Sequence, residues 1–195
     1  MASRKKQTNK KKDPKTVSPK KTVKAKPDAT SKKPGSAGRA KQSFPIVGIG
    51  ASAGGLEAIE GFFANTPSDI RIAFVIIQHL APEHKSIMGS LLKKYTSLKV
   101  MEVRDGTKIE PGCVYLNPPS RDVSIFNGKL YLSEPTQARG ARLPIDYFFR
   151  SLAESEGDKS ICIVLSGTGT DGTLGLKAVK GAGGMAMAQA ETQAK

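Results

Sequence analysis

An apolar run, Pro45-Ile46-Val47-Gly48-Ile49-Gly50, breaks into Ala51-Ser52-Ala53-Gly54-Gly55, after which Glu57, Ala58, Ile59 and Phe62 follow at helical spacing. A run of Ile and Val closed by glycine suits a strand covered on both faces, the kind found in parallel sheets. The stretch therefore reads as buried strand, tight turn and helix start, with Ser52 on the turn. Its neighbours lack bulk, so a second molecule can approach the hydroxyl. The amides that follow point from a helix N-terminus towards any negative charge that develops there.

Three readings fit this turn. Gly50-Ala51-Ser52-Ala53-Gly54 matches Gly-x-Ser-x-Gly, the nucleophile elbow of serine hydrolases. Gly48-Ile49-Gly50-Ala51-Ser52-Ala53 equally matches Gly-x-Gly-x-x-Ala, a dinucleotide fingerprint. In the third, Ser52 simply caps a helix.

The same strand-then-break pattern recurs. Arg71 to Ile77 is a second buried strand ending at Gln78-His79, and a helix is expected over 84–95. Leu98 to Val103 suggests a third strand, and Asp105-Gly106 and Pro111-Gly112 are turns before a strand at Cys113 to Leu116. Runs at 123–126 and 129–132 flank Asn127-Gly128, a strong two-residue hairpin signal. Pro144 opens a helix to Ala153, with Ile145, Phe148, Phe149 and Leu152 on one face. Ile161 to Leu165 is another continuous apolar strand, breaking into Ser166-Gly167-Thr168-Gly169-Thr170-Asp171-Gly172. A helix over 173–180 and a short strand at Met185 to Ala188 follow. Buried strands alternating with helices predict an α/β fold: a doubly wound, mostly parallel sheet with an inserted antiparallel β-hairpin.

Charge divides the chain. Residues 1–43 hold 15 Lys or Arg against two Asp, whereas residues 44–195 hold 16 basic and 15 acidic residues, so the overall +14 belongs almost wholly to the tail. With almost no large apolar side chain before Phe44, the tail cannot offset its ordering entropy, and 1–43 is expected to be a disordered Lys-rich tail and linker. It suits an anionic partner by non-specific electrostatics, or is only a solvated extension. It has no aromatic interleaving for base stacking and no amphipathic helix for a membrane surface. No apolar core segment follows the basic start and no run is long enough to span a bilayer, while two cysteines, Cys113 and Cys162, fit free thiols in the cytoplasm.

In sheets of this kind ligands bind beyond the carboxyl ends of the strands. Ser52 follows the first strand, His79 ends the second, and Asp171 lies just past the strand at 161–165. A hydroxyl, an imidazole and a carboxylate at one edge are the parts of an acyl-transfer triad, because an unassisted serine is a poor nucleophile at neutral pH. Taken singly, His79 could be a polar strand end and Asp171 a cap or turn residue. The other histidine, His84, follows Pro82-Glu83 in an expected loop or helix start. The dinucleotide reading wants an acidic residue at the end of the second strand, where Gln78-His79 stands. Two histidines and two separated cysteines give no metal-ligand spacing, so neither a metal nor a cofactor is expected.

Ile-Gly-Ala-Ser-Ala-Gly-Gly at 49–55, Gln-His at 78–79, Asp-Gly at 105–106, Pro-Gly-Cys-Val-Tyr at 111–115 and Leu-Ser-Gly-Thr-Gly-Thr-Asp-Gly at 165–172 resemble the catalytic domain of CheB-type chemotaxis methylesterases, in order from about 45 to 195. The resemblance implies Ser52 as nucleophile, His79 as base and Asp171 as its carboxylate. It also implies an oxyanion hole from the Thr168 amide and the turn after Ser52, at Ala53. The reaction it implies is hydrolysis of glutamate methyl esters on methyl-accepting chemoreceptor helices, with glutamine deamidation as a second activity. Gln78, Arg142 and Asp146 are the expected substrate-positioning residues, the last two in a segment that resembles the family's Pro-x-Asp stretch and reads equally well as a plain helix start.

The sequence also departs from the family pattern. Thr168 stands where many members have methionine, and Gly-Thr-Gly-Thr-Asp-Gly is closer to domains in methylesterase/methyltransferase fusions, so a methyltransferase is an expected partner. A basic tail occupies the place of a receiver domain, and the Gly-Met-Pro segment and last helices of the family pattern are missing. The domain at 44–195 is thus expected to be truncated and, with its last strand uncovered, prone to aggregate. A second function class stays open on this ground: a weak or inactive module that docks on receptors or a signalling assembly.

Overall fold

The structure, a computed structural model, describes residues 44–79, 87–138, 141–167 and 169–193. The tail expected over 1–43 lies outside the described residues.

Among the described residues, nine strands and four α-helices follow in chain order: β1 (Ile46–Ala51), α1 (Leu56–Ala64), β2 (Ala73–Gln78), α2 (Met88–Leu92), β3 (Lys99–Glu102), β4 (Thr107–Lys108), β5 (Cys113–Leu116), β6 (Asp122–Phe126), β7 (Lys129–Ser133), α3 (Pro144–Glu156), β8 (Ser160–Val164), α4 (Thr173–Gly181) and β9 (Met185–Ala188). Six of the strands make one all-parallel sheet in the order β3-β5-β2-β1-β8-β9. The antiparallel hairpin expected at Asn127-Gly128 forms, with both residues at positive φ, 48° and 71°, as a type I′ turn requires. It belongs to a separate three-stranded sheet, β4-β7-β6, whose two-residue β4 is too short to show a pattern in sequence.

The α/β expectation holds because successive side chains on a strand point to opposite layers. On one face Val47, Ile49 and Ala51 of β1 join Ile59 and Phe63 of α1 and Met88 and Leu92 of α2 in a buried core. On the other, Ile46 joins Ile145, Phe148, Phe149 and Leu152 of α3 and Val179 of α4, together with Val123, Ile125 and Leu130 of the small sheet. Gly48 and Gly50 share this second face, and their spacing is a packing requirement. A Cβ on Gly48 would stand 2.9 Å from ring carbons of Phe148 and Phe149, and one on Gly50 would stand 2.3 Å from Cγ2 of Ile145. The absent side chains let α3 lie close against β1, which accounts for the Gly-x-Gly of the dinucleotide pattern without a cofactor.

Of the helix expected over 84–95, the structure gives α2 at Met88–Leu92, while 80–86 lies outside the described residues. Beyond Leu92 the amides of Lys94 and Tyr95 reach carbonyls only three residues back, at Leu91 and Leu92, so the helix ends in tightened turns. At the other end of the sheet β9 pairs in parallel with β8, Ile161 opposite Met185 and Val164 opposite Ala188, as the sequence predicts. Ala186 packs into the core beneath α4. Met185 and Met187 project the other way, 58% and 40% exposed, and with Val47, Phe62, Ile161 and Ile163 they line an apolar groove of about 430 Å³. No helix among the described residues is long and apolar enough to cross a membrane.

Candidate active site

The register places the site. Ala51 is paired with Gln78, so Ser52 and His79 leave neighbouring strands at the same level, and Gly50 is paired with Val164, so the loop after β8 leaves beside them.

Ser52 has extended backbone, φ −101° and ψ −170°, and its side chain makes no cap hydrogen bond to the 3-10 turn Ala53–Gly55 that precedes α1. The capping reading is thereby excluded, since the hydroxyl is not spent on the helix. Nor is this the strained elbow that the Gly-x-Ser-x-Gly pattern suggests, because φ lies in ordinary territory. The Ser52 amide donates to the carbonyl of Ser166 at 3.2 Å. Gly167 then passes so close that a Cβ there would stand 2.5 Å from Cβ of Ser52. The amide of Ala53 opens the 3-10 turn and has no carbonyl of that turn behind it. Thr168, the other residue implied for an oxyanion hole, lies outside the described residues, as does His84.

His79 is 36% exposed, and its Nε2 lies 2.7 Å from Oδ2 of Asp171, whose side chain is only 6% exposed. Asp171 has two further donors: the amide of Ile145 at 3.0 Å to Oδ2 and the amide of Asp146 at 2.9 Å to Oδ1. This follows from the sequence of α3. Pro144 at its first position has no N–H, and Leu143 supplies no side-chain cap, so the next two amides are left for a carboxylate from elsewhere. Their dipoles, with the N-terminal end of α3, stabilise the negative charge and fix its direction.

The favour is returned. Asp146 is 2% exposed and its Oδ1 accepts from the Gly175 amide in the first turn of α4 at 2.6 Å. Asp171 thus caps α3 from the start of α4, and Asp146 caps α4 from the start of α3. The side chain expected to position substrate is instead turned into the framework. Arg142 likewise gives its Nη2 to Asp122 of β6 at 2.9 Å, at the head of a groove of about 560 Å³ between α3 and the small sheet.

Gln78 meets a partner that sequence reasoning missed. Buried Asn117, just past β5, accepts from the Gln78 amide at 2.9 Å and donates to the Gln78 carbonyl at 3.0 Å, holding the backbone immediately before His79. Gln189, just past β9, was also missed. Its Oε1 accepts from both the amide and the hydroxyl of Ser166, each at 2.8 Å. The available signal was position, since each is the first polar residue beyond the carboxyl end of a parallel strand. Among the described residues no group of His, Cys, Asp and Glu could hold a metal ion.

A parallel α/β sheet that brings a serine turn, a histidine and a histidine-bound aspartate to its carboxyl edge has the parts and the placement of a serine-hydrolase domain. Comparison with known proteins agrees. The family model described as CheB methylesterase matches residues 47–195, and the chain belongs to that family. The protein-glutamate methylesterase/protein-glutamine glutaminase of the group 3 operon of Rhizobium meliloti is 33% identical over 153 residues, 78% of this chain and 43% of that relative. The Bacillus subtilis protein-glutamate methylesterase/protein-glutamine glutaminase is 30% identical over 183 residues, 90% of this chain and 50% of that relative. The chain therefore spans half or less of these curated relatives' length. The crystal structure of the Thermotoga maritima CheB methylesterase catalytic domain superimposes with a TM-score of 0.71 at 30% identity, covering 78% of this chain and 82% of that one.

Proposed function

We propose that this domain is a serine esterase that hydrolyses glutamate γ-methyl esters on chemoreceptor helices, with glutamine deamidation as a second activity of the same site. The observation that carries the reading is the 2.7 Å contact of His79 with an Asp171 that two backbone amides hold in place, beside a serine free of capping duty.

In this mechanism Ser52 Oγ attacks the ester carbonyl and its proton passes to His79. With Nε2 committed to Asp171, the nitrogen that takes this proton is Nδ1. The oxyanion is met by the Ala53 amide, with that of Thr168 in the role the family resemblance gives it. Collapse expels methanol, which leaves with the proton from His79. Water, deprotonated by the same ring, then releases the glutamate carboxylate and restores Ser52. An amide in place of the ester releases ammonia by the same steps. Asp171 steadies the imidazolium. An edge-on site at the rim of a sheet suits a helical protein substrate, and two buried free thiols suit a cytoplasmic setting.

The test is methanol release from methyl-esterified receptor fragments. Ser52→Ala should abolish release above the uncatalysed rate. Equal release from both proteins would remove the esterase reading and leave a docking module.

A further inference from the structure

We propose that Gln189 is a positioning residue for Ser52, acting through Ser166; the inference rests on reading Ser52 as the nucleophile. Gln189 is stationed at the far side of the sheet from His79, one residue beyond the Val164–Ala188 pair that ends β8 and β9. Its amide continues the ladder to the Val164 carbonyl at 2.9 Å, while its side chain turns inward to take two hydrogen bonds from Ser166 on one oxygen. Ser166 is 4% exposed, so both of its donors would be costly to leave without a partner. The carbonyl of the same residue receives the Ser52 amide, and the preceding amide, that of Leu165, donates to Gly50 at 2.9 Å.

Ser166 is therefore fixed on both sides: Gln189 holds its N–H and hydroxyl, and its carbonyl holds Ser52. Rotation of that peptide would move the acceptor of the Ser52 amide and push Gly167 against the Cβ of Ser52, which Gly167 already approaches to within contact. The nucleophile turn of β1 is in this way aimed from β9, two strands away, through hydrogen bonds and the close packing of Gly167.

Two variants separate aiming from mere support. Gln189→Leu removes the acceptor, whereas Gln189→Glu keeps an oxygen at the same reach. On a synthetic peptide carrying glutamate γ-methyl esters, Gln189→Leu should lower kcat by about 10- to 100-fold with KM within about twofold, the scale of a misplaced reacting group. Gln189→Glu should retain kcat within about threefold. Ser166→Ala, which removes only one of the two bonds and spares the backbone, should fall in between. Amide hydrogen exchange at Ser52 should quicken in Gln189→Leu. Equal losses in the Leu and Glu variants, or unchanged Ser52 exchange in Gln189→Leu, would overturn the proposal. Faster Ser52 exchange in a protein whose methanol release proves independent of Ser52 would uphold the coupling of Gln189 to Ser52 and remove the esterase reading alone.

Discussion

The carboxylate of Asp171 has three donors, and they are not equivalent. Two are backbone amides that an asparagine oxygen can still satisfy in part, while the third is a ring nitrogen whose tautomer the carboxylate sets. Asp171→Asn should therefore fold almost normally yet lose turnover by roughly three to four orders of magnitude, measured as methanol release beside a melting curve. Cys162 makes a contrasting case of a titratable group that is only packing. Burial pushes its thiol from 9.0 up to about 12. Alkylation by iodoacetamide at pH 8 should leave it unmodified in the native chain and modify it in urea. Because the unfolded chain ionises this thiol first, its contribution to stability is intact below about pH 9 and is lost as pH rises towards 12. That Ser52, His79 and Asp171 come to one sheet edge was legible in the sequence, since Ser52 and His79 directly follow buried strands and Asp171 lies in the loop after β8. Asn117 and Gln189 were not, because they act on backbone 39 and 23 residues away and belong to no periodic pattern.

At the scale of elements, buried strands were legible from their unbroken apolar runs, and α3 from its proline and its one-sided stripe. What the sequence hid were short pieces: β4 with two residues, and an α2 of five residues where a longer helix was expected. The contact of β1 with α3 is the most sensitive joint, and two glycines give matched tests. Gly50→Ala would drive a methyl into Ile145, whose amide also holds Asp171. It should cost about 1–3 kcal/mol in urea denaturation and reduce activity together with stability. Gly61→Ala, on the exposed side of α1 with nothing within 4 Å of the new methyl, should instead stabilise by about 0.5–1 kcal/mol. If both substitutions cost the same, the close approach of α3 is not what Gly50 provides.

For the molecule as a whole, alternating strand and helix signals were enough to reach an α/β sheet, and the rule for strand ends was enough to bring Ser52, His79 and Asp171 to one edge of it. Beside β9, Met185 and Met187 are exposed and share an apolar groove with Phe62 and Ile163. This chain should bind the dye ANS and associate as its concentration rises, and Met185→Lys with Met187→Lys should reduce both effects, as followed by fluorescence and light scattering. The exchange of caps between α3 and α4 also bears on how the protein is made. Asp171 is 92 residues further along than the histidine it serves, and it has no amides to hold it until α3 is already in place. At ribosomal speeds of about 5–20 residues per second, a nascent chain would display its serine and histidine for roughly 5–20 seconds before the third member is even synthesised. During that interval, on the proposed mechanism, the emerging polypeptide lacks the carboxylate that steadies its histidine, and esterase activity would arrive late and all at once, as a by-product of α3 and α4 locking together.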